Sequence, residues 1–324
     1  MQTTRRTFLA QSLGTAAALT VAPSTSLGAE AAGAIPIVDT HQHLWDLSVV
    51  HPPWLKPGGE LTRNFVTQDY LEATAGLNVT TAVYMEVAVA DDQLVAEAEH
   101  VIGLCADENH PTCAAVIGGR PASDGFRAYL NRFRDNPCVK GVRHIMGQPE
   151  MLEAAGLTAG LQLLGERGLC FDLCVPPRLL EAAAKLVDAC PETRIVVDHC
   201  GNADPVAFMA EADHPRAPQH DADAWRRDMQ ALAKRKNTIC KISGIVARME
   251  KERWKPEDLA APISHCLDVF GPDRVIFASD WPVCTRGASL RQWVEALQQV
   301  VRDRPASEQH KLFSANALAF YGLT

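Results

Sequence analysis

Short apolar or β-branched runs alternate with longer amphipathic stretches along most of this chain, and that alternation leaves few folds open. Strand-like runs fall at 35–40, 81–87, 113–117, 139–145, 169–175, 194–199, 238–243 and 274–279. Helix-like stretches fall at 67–77, 91–107, 123–134, 176–189, 222–235, 256–270 and 289–302, with one more at 306–321 after the last strand. A period near two that gives way repeatedly to a period near 3.6 means βα units, and βα units mean a parallel sheet. Eight of them predict a closed α/β structure, the (β/α)8 or TIM barrel, which takes about 250 residues. An open doubly wound sheet is the competing arrangement. No G-x-G-x-x-G follows the first strand, so its dinucleotide-binding form lacks its main signature. The Pro- and His-containing segment 203–222 reads as a long loop after the sixth strand, a candidate lid.

Residues 1–31 fit none of this alternation. Thr3-Thr4-Arg5-Arg6-Thr7-Phe8-Leu9 is a twin-arginine pattern, 13–22 is an Ala-rich apolar stretch too short to span a bilayer, and Ala29-Glu30-Ala31 is an A-x-A cleavage site. These features predict an export signal over 1–31 and a single barrel domain over 32–324, acting in the periplasm or elsewhere outside the cytoplasm. No later stretch approaches the roughly 18 apolar residues of a membrane helix, so stable membrane insertion is not expected. The net charge is −8, and it becomes −9 when Arg5, Arg6 and Glu30 leave with the signal. Nucleic acid and anionic membrane both call for a basic field, so neither is the expected partner. None of the ten cysteines forms a C-x-x-C pair, which argues against a structural zinc site of Cys type. Most lie in apolar runs and are expected as buried free thiols.

The strand ends carry the chemistry. In a parallel barrel the active site lies at the carboxyl ends of the strands. Here the first strand ends in Asp39-Thr40-His41-Gln42-His43, the second near Glu86 and the fourth in Arg143-His144. The fifth carries Asp172, the sixth ends in Asp198-His199, the seventh in Ser243 and the eighth in Ser279-Asp280. Apolar strands that finish in charged groups make poor cores unless those groups converge on something. His41 and His43 are two apart, so an extended backbone puts both rings on one face. With His199 and Asp280 from two other strands they make a candidate set of metal ligands. Asp280 is the candidate general base, taking a proton from water and returning it to the leaving oxygen. Arg143 is a candidate clamp for a substrate carboxylate or lactone carbonyl. Glu86 and Asp172 could meet substrate hydroxyls or pair with a nearby cation, and His51 and Trp54 could wall the pocket. No G-x-S-x-G elbow and no Walker A loop is present.

Five segments carry a resemblance: Val38-Asp39-Thr40-His41-Gln42-His43-Leu44-Trp45-Asp46, Lys140-Gly141-Val142-Arg143-His144, Val197-Asp198-His199-Cys200-Gly201, Cys240-Lys241-Ile242-Ser243-Gly244 and Ala278-Ser279-Asp280-Trp281-Pro282-Val283-Cys284. In this order they resemble the motifs of the amidohydrolase superfamily, in its amidohydrolase-2 branch of L-fuconolactonase-like lactone hydrolases. The likeness runs from about residue 35 to the C-terminus. It implies a (β/α)8 barrel that hydrolyses a lactone derived from a sugar or related acid. It implies that Asp280 and His199 act catalytically and that Arg143, His144, Glu86 and Trp45 meet the substrate. His41, His43, His199 and Asp280 would hold one divalent ion, zinc first, or work without any. Binuclear members carry a carboxylated Lys at the end of strand four; here that end is Arg143-His144, so one metal or none is expected. The competing readings are a metal-dependent decarboxylase of an aromatic or muconate-type acid, and an exported sugar-acid binding protein on an inactive barrel.

Overall fold

The computed structural model describes residues 35–107 and 109–323. The expected export signal over 1–31 lies outside the described residues. Eight parallel strands run in order around one sheet: β1 (Ile37–Gln42), β2 (Val79–Met85), β3 (Thr112–Gly118), β4 (Val139–Ile145), β5 (Cys170–Cys174), β6 (Arg194–Val197), β7 (Thr238–Ile242) and β8 (Val275–Phe277). The segment after β8 brings the sheet back to β1. The Asp280 amide donates to the His41 carbonyl at 2.9 Å and the His43 amide to the Trp281 carbonyl at 2.7 Å. The fold is the (β/α)8 barrel that the alternation predicts.

Side-chain alternation sorts the strands into two packed surfaces. One set of strand residues packs outward into the large core shared with the helices, among them Ala82, Tyr84, Ala115, Ile117, Phe171 and Leu173. The other set fills the barrel: Val38, Val83, Met85, Ala114, Val116, Cys170, Val196, Ile239 and Ile276, closed off by Ala317 and Tyr321 of the C-terminal helix. One pleat further along, the same faces of β5 and β7 carry Asp172 and Lys241, and the residue just past β6 is Asp198. The interior therefore changes from apolar to ionic within one layer of side chains, and the functional site sits on that layer.

Differences from the sequence reading have local causes. β4 and the helix Pro256–Phe270 coincide with their predicted bounds. β6 and β8 stop at Val197 and Phe277, two residues short, because the backbone turns left-handed just beyond, with φ of 55° at His199 and 58° at Asp280. The helices Pro149–Leu152 and Leu157–Glu166 after β4 have no counterpart in the sequence reading. Gly160 and Gly165 obscure the second of these. Gly160 is there for close packing: a Cβ at that position would lie 2.0 Å from the Pro121 carbonyl oxygen.

Segment 203–222 is tied down along its length. The buried Asp204 carboxylate receives both terminal nitrogens of Arg216 at 2.7 Å and the Gln219 amide at 2.9 Å. All ten cysteines are free and seven of them are buried. No helix among the described residues is long and apolar enough to cross a membrane.

Candidate active site

At the carboxyl ends of the strands His41, His43, His199 and Asp280 meet. His41 and His43 stand edge-on with ring centroids 4.8 Å apart, and His199 lies 4.5 Å from His41 on the other side. One Asp280 carboxylate oxygen faces all three imidazoles, at 3.3 Å from His43 Nε2, 3.7 Å from His41 Nε2 and 4.0 Å from His199 Nε2. The loop that delivers Asp280 is buckled to β1 through Asp39. That carboxylate accepts the Ser279 amide at 2.8 Å and hydroxyl at 2.5 Å, and also the Tyr70 hydroxyl at 2.8 Å. The left-handed backbone of a non-glycine residue costs about 1–2 kcal/mol, which these bonds offset.

The hydrogen bonds define what fits between the rings. His43 Nδ1 lies 2.9 Å from the Met85 carbonyl, which can only accept, so this nitrogen carries a proton. Its Nε2 then points at a carboxylate oxygen 3.3 Å away. Two lone pairs do not sit this close unless something positive lies between them, either a second proton on His43 or a cation. Nearby charges weigh in the same direction. Glu86 is paired with Arg143 at 2.6 Å and Asp172 with Lys241 at 2.5 Å. Asp198 shares Lys241 and Arg143 with these pairs, and among the described residues Asp280 has only histidines within ion-pair distance. Both Asp198 oxygens are buried without a hydrogen bond, 3.5–3.7 Å from Lys241, His41 and Arg143. Four carboxylates, Glu86, Asp172, Asp198 and Asp280, thus share two cations, Arg143 and Lys241, and that surplus beside three imidazoles fits one divalent ion on His41, His43 and Asp280, with His199 next to them. Asp198 Oδ1 lies 3.6 Å from His41 Nδ1, behind the proposed ligand.

Two cations also crowd His41. Arg143 places a terminal nitrogen 3.0 Å from His41 Nε2, and the Lys241 ammonium lies 3.3 Å from His41 Nδ1. Burial and the Lys241 charge hold the His41 pKa well below the ordinary histidine range, so its ring is neutral at pH 7. Burial likewise lowers His199, although Asp280 and Asp198 oppose it. Burial works against ionising Asp280, but His199, the hydrogen bond with His43 and the charge on Arg143 outweigh it, and the carboxyl sits below its usual value. Lys241 is held charged by Asp172 and Asp198 against the effect of burial.

His199 owes its position to a glycine. Its Nδ1 lies 2.8 Å from the Ser243 hydroxyl. A Cβ on Gly244, whose φ is +68°, would lie 2.4 Å from that same nitrogen. Gly244→Ala should therefore push the ring aside and lower turnover about 10- to 100-fold, the scale of a misplaced catalytic group. Gly168→Ala provides the control: its φ of +69° matches that of Gly244, and nothing lies within 4 Å of its added Cβ, so it tests a positive φ without the collision. Paired kinetics and melting curves check this. Loss of activity in Gly244→Ala alone, in protein that its melting curve shows to be folded at the assay temperature, is the expected outcome.

Three expected substrate contacts are placed elsewhere. Trp45 is fully buried, donates to the Arg63 carbonyl at 2.7 Å and packs beneath Trp54; it is Trp54 that lines the cleft. His144 follows Arg143 on β4 and so faces away from the cleft that Arg143 and Ile145 line. Glu86 is occupied by Arg143 and by the Ala88 amide at 2.7 Å. Arg143 does line the cleft, but its Nε and one terminal nitrogen are bound to the Glu86 carboxylate and carbonyl. His51 is exposed and does not line it. Asp172 pairs with Lys241, the ion-pair alternative that its sequence reading held open. Sequence reasoning passed over Lys241, Asp198 as a charge partner, the Asp39 buckle and Arg248. The signal for Lys241 was present: one lysine inside the otherwise apolar strand Thr-Ile-Cys-Lys-Ile.

The cleft above Asp280 encloses about 810 Å³, enough for a small organic molecule. A family model described as Amidohydrolase matches residues 38–323. An uncharacterized protein, y4mH of Sinorhizobium fredii, is 27% identical over 308 residues, covering 89% of this chain and 98% of that protein. The L-fucono-1,5-lactonase of Burkholderia multivorans is 26% identical over 296 residues, covering 88% and 96%. Among solved structures, an amidohydrolase from Burkholderia multivorans with bound zinc superposes with a TM-score of 0.76 at 22% identity, over 89% of this chain and 100% of that one. A probable 2-pyrone-4,6-dicarboxylic acid hydrolase from Acinetobacter baumannii gives 0.65 at 16% identity, over 88% and 99%.

Proposed function

The chain belongs to the amidohydrolase family, and from that premise we propose that it opens lactones by adding water across the ring ester. The observation that carries this reading is the Asp280 carboxylate at the floor of the cleft, ionised and ringed by three imidazoles. The lactonases among the relatives support it, since they match along almost their whole length.

In the proposed reaction Asp280 takes a proton from a water in the cleft, and the water oxygen bonds to the lactone carbonyl carbon. The negative charge that develops on the carbonyl oxygen is met by N–H donors already fixed in place. Arg143 is held rigidly by Glu86 with N–H groups to spare. Neutral His199 is braced on Ser243 and reaches the cleft. The ring C–O bond then breaks and Asp280 returns its proton to the leaving oxygen, giving a hydroxy acid. A divalent ion held by His41, His43 and Asp280, zinc being our proposal, would supply Lewis acidity and a more acidic water.

Acid release from a panel of sugar-derived and carboxylated lactones, titrated at constant pH on metal-loaded and chelator-treated protein, tests this. Turnover of at least one lactone class supports the reading. Carbon dioxide release from aromatic acids, with every lactone untouched, overturns it.

A further inference from the structure

The cleft walls carry four arginines, Arg143, Arg216, Arg248 and Arg286, against a single carboxylate, Asp280, in a protein whose net charge is −8. Local charge thus runs opposite to the charge of the whole. Two of the four are spent: Arg143 on Glu86 and Arg216 on Asp204. Arg286 is exposed at the rim, where a free cation needs no explanation. Arg248 is different. It is partly buried, and it is fixed from two sides by neutral oxygens: Gln219 Oε1 at 2.7 Å and Asn202 Oδ1 at 3.1 Å. No carboxylate lies within ion-pair distance of it among the described residues. Its main-chain carbonyl also receives Arg216 at 3.0 Å, so the segment that carries Arg216 and Gln219 and the loop after β7 are locked around this one guanidinium.

A guanidinium withdrawn from water and given only amide oxygens is half-solvated. Its remaining N–H donors form a planar fork that matches a carboxylate. We propose that Arg248 is the carboxylate-binding residue of this cleft, and that the substrate is a lactone bearing a free acid group, not a neutral sugar lactone. The inference rests on the lactonase reading for the word lactone, not for the acid. Charge also fixes the orientation. Asp280 repels an acid group and Arg248 and Arg286 attract it, so the acid end lies toward Arg248 and the ring ester toward Asp280.

Binding without turnover separates the two readings. Lactams hydrolyse far more slowly than lactones, so 6-oxopiperidine-2-carboxylate and the neutral 2-piperidone serve as an acid and a neutral probe of one ring size. Calorimetry on the full protein should show the acid binding at least tenfold more tightly than the neutral ring. Arg248→Met should erase that preference, and Arg248→Lys should restore part of it. Melting curves of the variants report whether the fold holds. Equal affinity for the two lactams in the unmodified protein, or a preference unchanged in Arg248→Met, overturns the proposal. A protein that prefers the acid lactam yet opens no lactone refutes the lactonase reading alone. One that opens neutral lactones with no preference for acids refutes only the assignment of Arg248.

Discussion

Asp280→Asn should lower kcat/KM for lactone opening by about 10³- to 10⁴-fold, the upper range for loss of a positioned general base. The substitution keeps the shape of the side chain and removes only its capacity to take a proton. The substituted side chain would still present an oxygen or an amide to His43 Nε2, which now lies 3.3 Å from the carboxylate. The main-chain bonds that hold the loop, from the Asp280 amide to His41 and from the Cys284 amide to the Asp280 carbonyl, do not involve the side chain. Stability should therefore stay close to that of the parent, and a melting curve run beside the kinetics separates lost chemistry from lost fold. The parent enzyme should also keep its activity down to unusually acidic pH. A base whose pKa is depressed stays ionised until the pH falls through that lowered value, below the ordinary aspartate value of about 4. Turnover of Asp280→Asn within tenfold of the parent would remove Asp280 from the reaction.

What the sequence made legible follows from what each residue type can tolerate. Apolar strands that end in His, Asp and Arg mark a convergence of polar groups because no other arrangement satisfies them, and His41, His43, His199 and Asp280 were readable for that reason. Bearing is harder than position. Trp45 lies two residues past His43 yet is buried under Trp54, and His144 is turned outward by the same pleat that turns Arg143 inward. A one-residue step on a strand reverses the face, and nothing local announces which face wins. The over-long sixth and eighth strands have a related cause. Left-handed backbone at His199 and Asp280 is enforced by tertiary bonds; His and Asp tolerate it better than most residues, but that preference alone is too weak to end a strand. Arg248 lies outside any strand, and its significance depends on which arginines have already found carboxylates. That is a property of the assembled cleft.

Lys241 shows how much of the site's stability rests on one residue inside an apolar strand. Lys241→Met should cost about 3–5 kcal/mol of folding stability, the usual result of removing one member of a buried ion pair. The ammonium is fully buried and lies 2.5 Å from Asp172 and 3.5 Å from Asp198, both without solvent exposure. Methionine fills most of the same volume, so packing changes little and the loss measures charge. Two carboxylates would be left in the interior with only Arg143 nearby, its guanidinium already turned toward Glu86. Adding Asp172→Asn to Lys241→Met should recover more than about 1 kcal/mol, because a neutral amide no longer needs the missing cation. The double variant also keeps the experiment readable if the single one fails to accumulate. Denaturant unfolding of the three proteins, compared by midpoint and slope, gives these values directly. After burial, the Lys241 charge is the largest influence keeping His41 neutral, so its removal should also raise the His41 pKa. A Lys241→Met protein within about 1 kcal/mol of the parent, with His41 titrating as before, would mean that the ionic layer above the barrel core is not held together by this ammonium.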